Sequence, residues 1–305
     1  MNRKSRVAFG DRIYLPAEFL LCTRMLIGRH VSISGGYMNA LTEAKRLGID
    51  TLQIFTKNQR FWQEKIVPEE EGLAFRNAFK VHGVKQAFSH TIYLISLGSE
   101  NEEIAEKSMS SLVGELERCR ILGLTHTVLH PGSAGKLPIA QAIRLIGDRL
   151  KMILKITKGS PVKILLENTA GQGSSIGGKI EWIADLINYI KSPRIGLCID
   201  TCHAFAAGYD IRSKKGIHNF LMQVDKLAGF DKLLCFHLND SKGGLGSKID
   251  RHEHIGEGLL GLEPFEYILK NFKQVPKVLE TSTENNWDIK DLNVLRMLEK
   301  KIASK

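Results

Sequence analysis

A chain of 305 residues with 43% hydrophobic and 25% charged side chains has the composition of a soluble globular protein and can bury a large core in one domain or two. No apolar run approaches the roughly 18 to 20 residues of a membrane span, which sets a membrane protein aside. The 43 Lys and Arg against 33 Asp and Glu give a formal charge of +10, a surplus that favours polyanionic partners, nucleic acid foremost, although plain solubility charge gives the same sum.

Residues 1–26 carry Arg3, Lys4, Arg6, Arg12 and Arg24 against only Asp11 and Glu18. They read as a basic arm, a targeting segment or an upstream start, and they lack the apolar core and cleavage site of a secretory signal. From about residue 27 short β-type apolar runs alternate with amphipathic stretches. The spacing predicts strands over 27–33, 51–55, 86–89, 127–130, 162–166, 195–199, 233–238 and 277–279. Helical patterns fill 38–47, 104–122, 139–157, 180–190 and 214–228, and a last one covers 289–302. Eight strands, seven helical connections and a closing helix predict a (β/α)₈ TIM barrel, one domain over 27–305 behind the basic extension. A doubly wound open sheet is the competing α/β arrangement. The cysteines (Cys22, Cys119, Cys198, Cys202, Cys235) form no CxxC pair, which suits a reducing compartment. Cys198 and Cys235 fall inside predicted strands as small core residues.

In such a barrel the chemistry sits at the C-terminal ends of the strands. The third predicted strand ends in His90, the fourth in His130 and the fifth in Glu167. The sixth ends in Asp200, with His203 one turn on; the seventh ends in His237 and the eighth in Glu280. One such residue is as readily a helix cap or a backbone-satisfied core group. Six consecutive strands ending in His, Asp or Glu are not explained that way. Asp250 and His252 stand two apart in a Gly-rich loop and would face the same way in extended chain; a solvated loop pair is the plainer alternative. Five His and four carboxylates are too many for one tetrahedral zinc. Nitrogen and oxygen ligands without thiolate suit Zn²⁺, with Mn²⁺ or Fe²⁺ as alternatives. Three ions sharing a carboxylate would use all nine ligands and leave a net charge of about +2, suited to phosphate-ester hydrolysis.

The stretches 129–133 (LHPGS), 166–173 (LENTAGQG), 197–210 (LCIDTCHAFAAGYD), 237–242 (HLNDSK), 250–258 (DRHEHIGEG) and 279–281 (LET) resemble endonuclease IV, the zinc-dependent family that repairs apurinic/apyrimidinic sites in DNA. The resemblance runs from about Gly28 to Trp287. It implies a TIM barrel with three Zn²⁺ at its mouth, Mn²⁺ being possible in one position. His90, His130 and Glu167 would hold one ion; Glu167 would bridge to a second, also held by Asp200, His237 and Glu280. His203, Asp250 and His252 would hold the third, and His30 would stand beside the ligands rather than among them. Glu167, Asp200 and Glu280 carry the catalytic expectation.

The resemblance further implies that loop side chains enter the duplex at the abasic gap. In FTKNQRFW (55–62) and HTIYL (90–94), Arg60 and Tyr93 would do so, with Asn58 and Trp62 in support. A guanidinium plane and an aromatic ring can replace lost base stacking; a solvated Arg and a half-buried Tyr are the ordinary alternatives. The family commonly has Asp where this chain has Thr91, which puts in question how His90 is oriented. The expected partner is double-stranded DNA with abasic sites, bound by a monomer. The compartment stays open between bacterial cytoplasm or nucleoid, nucleus, mitochondrion and virion. The rivals are a metal-dependent sugar isomerase on the same barrel, which leaves His203, Asp250 and His252 unexplained, and a lesion binder with a structural metal, which predicts binding without nicking.

Overall fold

The computed structural model describes residues 25–304, so nearly all of the basic segment expected over 1–26, and Cys22 with it, lies outside the described residues. Local signals set the first turns of the fold. Helices α1 (Tyr37–Leu47), α2 (Glu69–His82) and α3 (Glu102–Leu122) stop on Gly48, Gly83 and Gly123, with φ of 62°, 72° and 70°. That left-handed backbone costs glycine little and other residues more. The chain then turns directly into β2 (Thr51–Ile54), β3 (Gln86–His90) and β4 (His126–Leu129). Asn101 caps α3 through a bond from Ile104 N, and three glutamates open α2, where the helix dipole favours negative charge.

These elements continue the order begun by β1 (Ile27–His30): α4 (Ile139–Ile156), β5 (Lys163–Glu167), α5 (Ile180–Ile190), β6 (Ile195–Asp200), α6 (Thr201–Ala206), α7 (Lys214–Leu227) and β7 (Leu233–His237). A small hairpin, β8 (Asp240–Ser241) with β9 (His252–Glu253), precedes α8 (Glu263–Asn271), β10 (Lys277–Leu279) and α9 (Trp287–Ala303). The eight long-range strands close as β1-β10-β7-β6-β5-β4-β3-β2, every pair parallel. The barrel is therefore the one expected, and the open sheet is not formed. The strand ends move by a few residues: β1 stops at His30, whereas β3, β5 and β6 run on to include His90, Glu167 and Asp200.

Two apolar layers follow from the period of two along a strand. Outward residues such as Leu166, Leu197, Ile199 and Leu279 join helix residues such as Ile146, Leu150 and Ile183 in the large core between sheet and helices. Inside the barrel a separate layer holds Phe88, Val128, Leu165, Cys198, Cys235 and Val278. Each stands two residues before His90, His130, Glu167, Asp200, His237 and Glu280 respectively. The strand pleat therefore stacks the ligand-type residues directly above a dry layer, all on the interior face.

Candidate metal centre

The structure brings all nine expected ligands to one mouth. His90, His130 and Glu167 form one group; Glu167, Asp200, His237 and Glu280 a second; Asp200, His203 and His252 a third. Within each group the ligand atoms lie within 4.8 Å of one another. Asp250 joins the third through Oδ1, 3.1 Å from His203 Nε2 and 3.5 Å from His252 Nε2. Glu167 is shared between the first two groups, as expected. Asp200 borders the third as well as the second, with Oδ2 3.7 Å from His252 Nε2. The mouth is a cavity of about 370 Å³ lined by His90, Tyr93, His130, His203, Asp250 and His252, among others.

Hydrogen bonds fix which ring nitrogens face this space. His90 Nδ1 lies 2.7 Å from the Thr91 carbonyl and His203 Nδ1 2.8 Å from the Asn168 carbonyl. Carbonyls only accept, so both Nδ1 atoms carry the proton and both Nε2 atoms present a lone pair. His90 Nε2 then faces Glu167 Oε2 at 3.2 Å. His237 donates from Nε2 to Gln53 Oε1 at 2.8 Å, which turns the lone pair of Nδ1 toward Glu167 Oε1 at 2.8 Å and Glu280 Oε2 at 3.2 Å. Lone pairs facing carboxylates repel unless a cation lies between them or the rings protonate. His203 Nε2 and His252 Nε2 are buried without a hydrogen-bond partner among the described residues. Orphaned imidazole nitrogens beside ionised carboxylates are what a divalent cation satisfies, so the donor set fits such ions.

The electrostatics agree. Burial alone would raise Glu167, but His237 and His130 outweigh it and hold its carboxyl well below the usual range. Glu280 is held near about 2, burial again being overcome, chiefly by His237. Burial pulls His237 down, yet Glu280 and Glu167 raise it well above its ordinary value; His203 is raised likewise by Asp200, Asp250 and Glu167 against its own burial. Without metal the carboxylates thus recruit protons onto the rings, the positive charge that a cation would replace.

Several supporting residues were invisible in the sequence. Gln53 on β2 donates to Glu280 Oε1 at 2.6 Å and accepts from His237, so one amide orients two ligands. The same Nε2 lies 3.0 Å from His30 Nδ1. Burial depresses His30 to about 4, which keeps it a neutral acceptor beside the ligands, the place expected for it. Asn239 Nδ2 donates to Asp200 Oδ2 at 2.6 Å while its Oδ1 accepts from Glu280 N at 2.8 Å. Asp200 Oδ1 also caps α6 by accepting from His203 N at 2.7 Å. The cap and the ligand-type placement, alternatives in the sequence, coexist on one carboxylate. Thr91 is answered by geometry: its own carbonyl orients His90, so this bond needs no carboxylate at that position.

The 55–62 loop is rooted at the mouth by Phe55, whose ring lies 4.4 Å from His30 and 5.8 Å from both His90 and Tyr93. Lys57, only 3% exposed, pins the loop from inside through Nζ to Trp62 O (3.0 Å), Gln63 O (3.3 Å) and Glu64 Oε1 (2.6 Å). Asn58 Oδ1 accepts from Arg60 N at 2.9 Å, a local turn that fixes the tip. Arg60 and Asn58 are exposed, and Tyr93 is 62% exposed beside the mouth rather than half-buried. Trp62 is partly buried and packs against the core, a supporting position. Phe61, which the sequence did not single out, is 60% exposed at the same tip.

Residues 41–299 match the family model described as xylose isomerase-like TIM barrel. The chain is 40% identical over 284 residues to a protein of Geobacter sulfurreducens named probable endonuclease 4, covering 92% of this chain and 96% of that one. A Campylobacter hominis protein of the same name is 41% identical over 280 residues, covering 90% and 98%. Among solved structures, endonuclease IV from Thermus thermophilus superposes with a TM-score of 0.81 at 34% identity, covering 90% of this chain and 99% of that one. A D-tagatose 3-epimerase-like protein has a TM-score of 0.72 at 18% identity, a likeness of fold alone.

Proposed function

The chain belongs to the endonuclease IV family of xylose isomerase-like TIM barrels, and from that premise we propose that it is a DNA-repair endonuclease that hydrolyses the phosphodiester 5′ to an abasic site in duplex DNA, leaving a 3′-hydroxyl and a 5′-deoxyribose phosphate. One observation carries the reading: three groups of imidazoles and carboxylates share Glu167 and Asp200 at one open mouth, too many donors for a single ion.

His90, His130 and Glu167 would hold one Zn²⁺; Glu167, Asp200, His237 and Glu280 a second; His203, Asp250 and His252 a third, with Mn²⁺ an alternative in one position. Bound divalent ions supply a water of lowered pKa near neutral pH and offset charge on the phosphate and the departing 3′-oxygen. The chain itself fixes the geometry. Gln53 and Asn239 hold Glu280 and Asp200 in place, and the Asn168 and Thr91 carbonyls set the tautomers of His203 and His90. The loop pinned by Lys57 presents Arg60, and the mouth presents Tyr93, to fill the gap left by a missing base; Asn58 and Trp62 hold the tip. The protein acts as a monomer on cellular DNA, its basic surplus supplying phosphate contacts. No helix among the described residues is long and apolar enough to cross a membrane.

The test is nicking of an end-labelled duplex with one abasic site, without added magnesium, before and after prolonged chelation, and again after zinc is restored. Cleavage 5′ to the site, lost on chelation and recovered with zinc, is the expected result. No cleavage by protein carrying its full zinc complement would refute the reading.

A further inference from the structure

Under the ligand layer lie two thiols that hydrolysis does not use. Cys198 and Cys235 are directly paired across β6 and β7, both are free and both are 0% exposed. Each stands two residues before a ligand position, Asp200 and His237, on the same interior face. The two Sγ atoms and a ring nitrogen of His237 lie within 4.8 Å of one another. Bonds of about 2.3 Å to sulfur and about 2.0 Å to nitrogen, the zinc values, are compatible with such a triangle, and a larger thiophilic ion makes longer ones. Two sulfurs and one imidazole are a soft donor set, unlike the oxygen-rich sets above it.

We propose that Cys198, Cys235 and His237 form a second cation site, selective for thiophilic ions of the cadmium class, lying beneath the hydrolytic centre and competing with it for His237. Glu280 lines the open mouth and belongs with His237 to the same ligand group, so the thiol pair lies directly under that group. Binding forms two metal–sulfur bonds and one metal–nitrogen bond and releases the two thiol protons; nothing is oxidised or reduced. His237 faces Glu167 and Glu280 through Nδ1 and is tethered to Gln53 through Nε2. With Nε2 donating to Gln53, only Nδ1 offers a lone pair, and one lone pair holds one cation, so filling the thiol site displaces the zinc that His237 would hold.

The experiment titrates the zinc-loaded full chain with cadmium chloride. It follows the ultraviolet sulfur-to-cadmium charge-transfer band and, with a metallochromic indicator, the zinc released. The band should saturate at about one cadmium per chain with zinc appearing in step. It should vanish in Cys198→Ala and Cys235→Ala and persist in Cys119→Ala and Cys202→Ala. Measured against its own uninhibited rate of abasic nicking, Cys235→Ala should need about tenfold more cadmium for inhibition than the wild type. If either alanine variant does not fold, Cys198→Ser and Cys235→Ser keep the volume and must still lose most of the band. Absence of the band at excess cadmium, or its survival in both single variants, overturns the proposal. Nicking without the band removes the thiol site alone; the band without nicking removes the hydrolytic reading alone.

Discussion

Asp291, on α9, is 0% exposed and ties two walls of the candidate centre together. Its Oδ2 accepts from Thr281 Oγ1 at 2.6 Å and from His254 Nδ1 at 3.0 Å, and its Oδ1 accepts from Ile255 N at 3.0 Å. Thr281 follows Glu280, while His254 and Ile255 follow Asp250 and His252. The His254 ring is held a second time, stacked on Trp287 with centroids 3.9 Å apart and planes 6° from parallel. Asp291→Ala leaves three donors without their acceptor. Hydrogen bonds to a charged group contribute roughly 1.5–3 kcal/mol each, and water entering the space recovers part, so we expect a loss of about 3–5 kcal/mol. That loss should fall mainly on the 250–255 loop, because Asp240 separately accepts from Gly256 N and Leu260 N just beyond it. Amide exchange at Ile255 is the direct assay: about 3 kcal/mol of local opening is roughly a 150-fold faster exchange. Zinc per chain after dialysis against a weak chelator is the second, with the ion of His203, Asp250 and His252 lost first. Asp291→Asn, which keeps the shape without the charge, should show about half the effect. Exchange at Ile255 within about threefold of wild type in Asp291→Ala, with zinc fully retained, would refute the reasoning.

Three further outcomes follow from the geometry. Glu280→Gln keeps an amide oxygen for Gln53 but removes a charge facing His237, so the fold should survive by circular dichroism while abasic nicking falls by about a hundredfold or more; near-normal turnover would remove Glu280 from the chemistry. Lys57→Met frees Trp62 O, Gln63 O and Glu64 from their common donor, so KM for abasic duplex should rise about tenfold with kcat little changed, and a fall in kcat alone would contradict a positioning role. Burial holds His126 near about 3, its ring stacked on Phe88. Between that value and its ordinary 6.5 the unfolded chain binds a proton that the folded one does not. Stability should therefore rise with pH across that window and fall as pH drops from 6.5, with a slope of up to about 1.4 kcal/mol per pH unit. Denaturant titrations at pH 4 and 6.5 should show this slope reduced in His126→Phe; an unchanged slope would assign it to other groups.

The barrel and its ligands were legible for one shared reason. A strand buried on both faces reads as an uninterrupted apolar run, so a His, Asp or Glu ending it stands out, and six such endings mark one end of one sheet. His90, His130, Glu167, Asp200, His237 and Glu280 were readable in that way. Asp250 and His252 rested on their spacing, since β9 begins only at His252 and the loop before it is irregular. The partners of the ligands were not legible. Gln53 looks like one polar residue within a strand, and its role depends on β2 and β10 facing each other across β1, with no trace in either segment. Asp291 lies on a helix whose other charges, Asp288 apart, are exposed or partly exposed, and only the packing of α9 against the returning loop singles it out. Lys57 would be placed in solvent by its type; a loop that folds its own carbonyls inward buries it instead. Helices α2 and α8 formed no named pattern although the barrel required a connection in each place. α2 carries a broken apolar stripe, with Phe75 and Ala78 its chief buried side chains, and α8 is only nine residues long. For Arg60 and Tyr93 the family resemblance, rather than any property of the residues, supplied the expectation, and their exposure is compatible with it.

The dry layer of Phe88, Val128, Leu165, Cys198, Cys235 and Val278 also governs how salt acts on the protein. It works as an insulating floor. Mobile ions and water reach the charged mouth from above only, because six packed side chains close the route through the barrel. Screening is therefore lopsided: strong at the exposed rim, weak at Glu167 and His237 just over the floor. Raising ionic strength should loosen the grip on a long duplex well before it alters the field felt by a phosphate already seated. A leak through the floor, as from Val128→Ala or Leu165→Ala, would weaken that field without touching a single residue of the site.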